Sequence, residues 1–350
     1  MKLLKNIYII LICCLSCNAP NPFEGKHKIV GDFPKHLYLE AEELAIDAMG
    51  IVDIKIVDTI LIALLKHPDI LLSAYSLSEL QPLGNLLKKG QGPNEFLSVS
   101  TPIQFISDSC GVKVWVEDTQ TYCFFLLNIT RTIEMNQPII EKRYDLKKFY
   151  FTKNWIYVED SLFFGVNMAM DNLELIGYNI IKDKVVLRDR LFKTTPNAAG
   201  CDHIWWAGTT TKPDLSKIAL TLTFLNQIQI ISLKDSTDRF SFSTSKKPVS
   251  FEHIITNAPS DLVAYFRDIR VTDQLIFASY SDLPLKDQLD PTKATKTMIH
   301  VFDWNGNPKA LLEIPNYTPY FDIDAKGGYL YCLSEEEKIY RYNISEILDE

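Results

Sequence analysis

The chain has 350 residues, 47% hydrophobic and 11% aromatic, with a formal net charge of −8. That is enough apolar material for a sizeable core, and one β-rich domain can hold a chain of this length. Charges of both signs are scattered, so the sequence lacks the basic stripe that a phosphate backbone requires, and nucleic acid is excluded as an expected partner.

The first element is a leader, "MKLLKNIYIILICCLSC". Lys2 and Lys5 precede an apolar run from Ile7 to Leu15, and small Ser16 precedes Cys17. A positive n-region followed by a short apolar h-region is an export signal, too short to span a bilayer. Removing residues 1–16 takes two lysines from the 36 basic side chains, leaving 34 against 44 acidic ones, net −10. The next stretch, "NAPNPFEGKHK", holds Pro, Asn and Gly with little to pack, so 17–34 reads as a tether and 35–350 as a single domain.

From Lys35 on, the hydrophobic pattern has a period near two or forms short apolar runs. Examples are "TILIALL" (59–65), "GVKVWVED" (111–118), "SKIALTLTF" (216–224), "QLIFASY" (274–280) and "GGYLYCL" (327–333). Val, Ile, Phe, Tyr and Thr dominate, and Asp, Asn, Gly or Pro bound many of the runs, which is the strand signature. Only "AEELAIDAM" (41–49), "PSDLVAYFRD" (259–268) and the terminal "SEILDE" offer a helical turn or two. The class is all-β. Hairpins recur: one turns near Glu117 to Gln120, a second at Asn305-Gly306, the strongest short-range hairpin signal, and a third at Ser334 to Glu337. Units of about 40–50 residues with four strands each are the mark of a β-propeller of six or, alternatively, seven blades. The division is 45–96, 97–145, 146–195, 200–248, 262–315 and 316–350. The last unit lacks an outer strand, so "HLYLEAEEL" (36–44) is expected to complete it and pair the open edge.

The segment "KGQGPNEF" (89–96) reads as a joint between blades. Gly90 and Gly92 would accept positive φ, Pro93 would fix the exit, and Phe96 would plug between sheets. A phosphate loop would need Lys and Ser or Thr after the last glycine and then a helix; Pro93 and strands follow instead. With "TPIQFISDSCGVKVWVEDTQTYCFFLLN" (101–128), the joint resembles the NHL-type propeller repeat. The likeness is closest to six-bladed, TolB-like propeller lipoproteins of Bacteroides-type bacteria, in which such a joint near the N-terminus is characteristic. Here its residues are Gly90, Gly92, Pro93, Glu95 and Phe96. "FDIDAKGGYLYCLSEEEKIYRYNI" (321–344) carries the same likeness, while over 150–250 it rests on the period alone. The leader's end, Leu15-Ser16-Cys17, resembles the lipobox of bacterial lipoproteins. That implies cleavage before Cys17, diacylglyceryl transfer to its sulfur, and a place on the periplasmic or surface side of the outer membrane. Cys14 stands where such motifs carry Leu or Val, and Cys13 and Cys14 are alternative attachment points.

Candidate chemistry is sparse. There is no Gly-x-Ser-x-Gly elbow, and "STSK" (243–246) lies between strands rather than at a helix start. The six histidines, His27, His36, His67, His203, His253 and His300, show no metal-ligand spacing. "DIDAKGG" (322–328) lacks the downstream bidentate Glu of a calcium loop and reads as a strand end and turn. Cys110, Cys123, Cys201 and Cys332 form no CxxC pair and read as single buried thiols. No catalytic residue, cofactor or metal is assigned. The surface of most interest is "CDHIWWAGTTTKPD" (201–214). Trp205 and Trp206, if in a strand, point to opposite faces, so one would fill the core and the other lie at a rim beside Asp202 and His203. Thr209, Thr210 and Thr211 would follow in a projecting loop, and "SDLPLKDQLDPTKATK" (281–296) would form another. The expected function is a lipid-anchored binding or scaffold module for an envelope protein or glycan, touching the membrane through its lipid only. The alternatives are a lyase- or lactonase-type enzyme, metal-assisted and centred on the channel, and a purely structural part.

Overall fold

The computed structural model describes residues 23, 25–159, 161–169, 172–193, 202–244, 249–288, 290 and 292–349. The leader, Cys17, Cys201 and residues 245 and 246 of "STSK" lie outside them. Six antiparallel meanders stand around a central channel, so the blade count is six. Their inner strands are Ile51–Val57, Gln104–Asp108, Thr152–Glu159, Ala207–Thr211, Phe266–Val271 and Tyr320–Asp324. From each inner strand the consecutive strands run outward in sequence order, within the segment expected for that blade.

Burial explains the sequence pattern. A blade packs on both faces, and its middle strands lose alternation: Ile60–Leu65 and Leu275–Tyr280 are buried at nearly every position. The outer strands Ile140–Asp145 and Lys184–Arg190 alternate between exposed and half-buried positions. An apolar cluster fills each of the seams between neighbouring blades, including the seam that joins blade six to blade one. At about 25 cal/mol per Å² of apolar surface removed from water, these seams are the main stabilising term.

The N-terminal segment departs most from expectation. Glu42–Leu44 does complete blade six, antiparallel to Ile339–Asn343, and is a strand where a helical turn was expected. The residues before it are laced along the rim. His36–Tyr38 pairs in parallel with Pro308–Ile314 of blade five, and Lys26–Ile29 with Arg239–Ser243 of blade four. His27 sits between Ser241 Oγ, 2.8 Å from Nδ1, and Ser243 Oγ, 3.3 Å from Nε2. Buried Phe23 bridges to Phe192 at the end of blade three. From Phe23 on, the segment expected to be a tether therefore belongs to the propeller. Edge strands with unpaired backbone groups attract whatever chain can pair them, and here the protein's own N-terminus does so.

Three further expectations change. Residues 259–268 form a 3-10 turn, Pro259–Asp261, and then enter the strand Phe266–Val271. A helix not foreseen, Ile129–Met135, is capped by Asn128, whose side chain accepts from the Arg131 N–H. Cys110 is exposed on a turn and Cys123 half-buried, so of the described cysteines only Cys332 is a buried thiol.

Candidate functional site

In each meander, the loop entering the inner strand and the turn between second and third strands share one end of the propeller, here called the upper face. Backbone bonds knit these loops together. The Met168 N–H donates to the Phe151 carbonyl at 2.9 Å, Thr223 to Trp206 at 2.9 Å, and Tyr265 to Thr223 at 2.7 Å.

Trp206 stands on this face at the entrance to blade four. Asp202–Trp205 is a 3-10 turn rather than a strand, yet the two tryptophans still diverge. Trp205 is buried against Phe192 and Phe251, with ring centroids 5.5 and 5.7 Å away, whereas Trp206 is 47% exposed. The Trp206 ring leans on buried Phe224 at 5.7 Å, and His203 meets both rings edge-on at 6.4 and 5.9 Å. His203 Nε2 lies 3.2 Å from the Ile254 carbonyl, which can only accept, so the proton resides on that nitrogen. On the same face, at the entrance to blade three, Tyr150 and Phe151 are exposed with centroids 4.1 Å apart. Aromatic faces with a polar neighbour suit a sugar ring or a peptide side chain. Asp202 begins the turn.

The threonines are not in a projecting loop. Thr209, Thr210 and Thr211 are buried on the inner strand of blade four, and only the turn beyond it, 212–216, projects. The run of three small polar residues carries no apolar alternation, so nothing in it marks this inner strand as a strand. The 281–296 loop is likewise pinned: the Gln288 amide donates to the Ala264 and Leu283 carbonyls at 2.8 Å each, and Lys286 pairs with Asp261 at 2.7 Å.

The joint at 90–96 closes blade one, whose outer strand Pro82–Lys89 folds back so that Glu95–Phe96 pairs with it in parallel. Gly90 and Gly92 are not in the left-handed region; Asn94 is, at φ 63°. The glycines are needed for room. Glu95 curls over them and accepts from the Gly92 N–H at 2.8 Å, and a Cβ on Gly90 would overlap its carboxylate. Pro93 lies in the turn, and buried Phe96 stacks on Phe125 at 4.4 Å in the seam between blades one and two. A 390 Å³ cavity opens beside the joint, lined in part by Glu95, Phe96, Cys123, Arg143, Asp145 and Lys147. Arg143 lies over the Phe96 ring at 5.5 Å, and burial pushes the Cys123 thiol up, away from nucleophilic use.

The channel holds a charge network that the sequence reading missed. Asp53 and Lys55 come from blade one, Asp268 and Arg270 from blade five, and Asp322 from blade six. Arg270 pairs with Asp268, with Asp53 at 3.2 Å and with Asp322 at 3.5 Å, and Lys55 reaches Asp322 at 3.0 Å. Several of these acids also latch one blade to the next. Asp322 accepts from the Ile56 N–H at 2.6 Å, and Asp268 from the Phe321 N–H at 3.3 Å. Asp53 accepts from the Thr101 hydroxyl at 2.6 Å. Gln104 does the same without charge, exchanging two bonds with the Tyr157 backbone at 2.6 and 2.9 Å. Burial pushes the Asp268 carboxyl up to about 7 although Arg270 pulls the other way. Burial also opposes the Arg270 charge, but the surrounding carboxylates more than offset it. Converging acids would suit channel catalysis, but here they surround two cations and bond to backbone, which is the arrangement of a ring clasp. Among the described residues, no group of three or more His, Cys, Asp or Glu is placed to hold a metal ion. His300 is a core residue: burial pushes it down to about 3, and its ring stacks on Tyr280 at 4.1 Å.

Residues 51–326 match a family described as TolB-like 6-blade propeller-like. Two solved structures share the fold. One is a DUF4221-family protein of Bacteroides vulgatus, 11% identical, with TM-score 0.56 over 87% of this chain and 96% of the other. The second, from Bacteroides fragilis and described as exported, is 12% identical, with TM-score 0.52 over 91% and 98%. No curated protein matches the sequence.

Proposed function

Because the chain belongs to the TolB-like six-bladed propeller family, we propose that it is a cell-envelope binding module, anchored by an acyl group on Cys17, whose upper face takes a protein or glycan partner. The observation that carries this reading is Trp206. An indole nearly half exposed on a rigid bed of Phe224 and His203 keeps its contact surface without needing to be ordered on binding. Tyr150 and Phe151 are a second exposed aromatic pair on the same face, at the entrance to the neighbouring blade. The envelope location is supported by the leader and by the Bacteroides fragilis protein of the same fold, whose description is that of an exported protein. A channel-centred lyase or lactonase has less support, because Asp53, Asp268 and Asp322 are committed to Arg270, Lys55 and backbone N–H groups.

The test is a gentle-detergent pull-down of the tagged protein from its own membranes, beside Trp206→Ala and Cys17→Ala. A stoichiometric partner, or retention on a glycan array, that Trp206→Ala lowers at least tenfold supports the reading. Equal capture by wild type and Trp206→Ala would move the binding surface elsewhere. Cys17→Ala should leave the soluble fraction enriched in protein.

A further inference from the structure

We infer that the outer edge of blade three is a docking surface for an anionic lipid bilayer, which turns the propeller side-on to the membrane. This rests on the acylation of Cys17 proposed above and adds a second, protein-borne membrane contact to it. In a chain of net charge −8, this edge is basic. Lys182 and Lys184 are exposed around the hairpin tip, and Arg188 and Arg190 are exposed further along the outer strand Lys184–Arg190. The local acids are already engaged. Glu174, buried, takes both Arg188 at 2.9 Å and Arg190 at 3.7 Å; Asp183 pairs with Lys148, and Asp189 with Arg239. Two large apolar side chains stand among the cations: Ile181, 75% exposed at the tip, and Val186, 51% exposed where the pairing register shifts. Cationic side chains interleaved with exposed aliphatic ones suit the boundary between anionic headgroups and acyl chains.

The chain's own path brings an anchor at Cys17 within reach of this edge. Phe23 is buried against Phe192, two residues beyond the end of that outer strand. Six residue steps separate Cys17 from Phe23, at most about 20 Å when fully extended. The strand itself is about 23 Å long at 3.3 Å per residue, so an anchor at Cys17 can reach most of the edge. The rim at blade six has the opposite character: Glu40, Glu42 and Glu43 are exposed there, partly offset by Arg341 and Lys338. A bilayer carrying negative charge would favour the first edge and repel the second.

The test uses Ile181→Ser/Lys182→Glu/Lys184→Glu, whose side chains lie exposed around a turn, so folding should be untouched. Intact mass first establishes whether Cys17 carries its acyl groups. The acylated protein is then placed in phosphatidylcholine vesicles with or without phosphatidylglycerol, and amide hydrogen exchange is followed. Slowing at 180–193 only with phosphatidylglycerol, absent at 36–44 and lost in the triple variant, is the expected result. Equal exchange in both vesicles, or equal slowing at both edges, overturns the proposal. If the mass shows no acyl group, the anchor reading fails, and the unacylated protein tests the edge by co-sedimentation with the same vesicles. Partition that is salt-sensitive and falls on the order of thirtyfold in the triple variant sustains a lipid-binding edge. Partition equal to that on pure phosphatidylcholine refutes it, as does retention on a captured envelope protein in place of lipid.

Discussion

Replacing Asp322 with Asn tests whether the channel network clasps the ring. The substitution keeps the shape and an oxygen for the Ile56 N–H, now 2.6 Å from the carboxylate, but removes the charge facing Lys55 at 3.0 Å and Arg270 at 3.5 Å. The Asp322 and Lys55 side chains are only 3% and 14% exposed, so an uncompensated ammonium would be left in a poorly hydrated site. Breaking a buried pair from one side costs about 3–5 kcal/mol, and the lower end applies because Asp53 and Asp268 remain nearby. With an unfolding entropy of about 2.1 cal/mol/K per residue over roughly 300 residues, 3 kcal/mol lowers Tm by about 5 °C. Adding Lys55→Met removes the stranded charge and should restore more than half of the loss. Guanidinium denaturation of the two single variants and the double measures all three terms. A loss under about 1 kcal/mol for Asp322→Asn, or strict additivity with Lys55→Met, would refute the clasp.

Two other outcomes follow from the same geometry. Burial pushes the Glu117 carboxyl up to about 7, against the pull of the Asn154 backbone bond and Lys153. The folded protein therefore holds a proton that the unfolded chain releases near pH 4.5, and stability falls as pH rises from there through 7. Glu117→Gln should be close to neutral at pH 4 and gain up to about 3 kcal/mol over wild type at pH 8; parallel pH profiles would contradict this. At the joint, Gly90→Ala should cost about 1 kcal/mol in the wild type, because its methyl lifts Glu95 off the Gly92 N–H. In a Glu95→Ala background the same change should stabilise by about 0.4–1 kcal/mol, since Gly90 has no left-handed φ to protect. Equal effects in the two backgrounds would show that the glycine serves something other than room for the glutamate.

The blades were legible because each repeats a local pattern: a polar-bounded apolar hairpin, then an alternating outer strand such as Lys184–Arg190. The missing outer strand of blade six was legible for the same reason, as an interruption of the period. What escaped was either too short or too dispersed. Lys26–Ile29 and His36–Tyr38 have four and three residues, and pairing in parallel to a distant strand leaves no local signal. Asp53, Lys55, Asp268, Arg270 and Asp322 meet only because the ring closes, bringing the first and last blades together. The Trp205–Trp206 pair was read with the right division between core and surface but the wrong backbone, since divergence follows from a 3-10 turn as well as from a strand.

The laced N-terminus sets an order of events during synthesis. Residues 26–44 emerge early, yet their hydrogen-bonding partners, 239–243, 308–314 and 339–343, all lie in the second half of the chain. They stay uncovered until the second half of the chain has arrived, and pairings separated by more than 200 residues close slowly. If Cys17 is acylated before the second half of the chain arrives, the first residues are anchored before their nearest structured neighbour exists. The membrane would hold the first residues in place while the ring assembles around them, and the last blades would complete maturation by capturing a strand already fixed at one end.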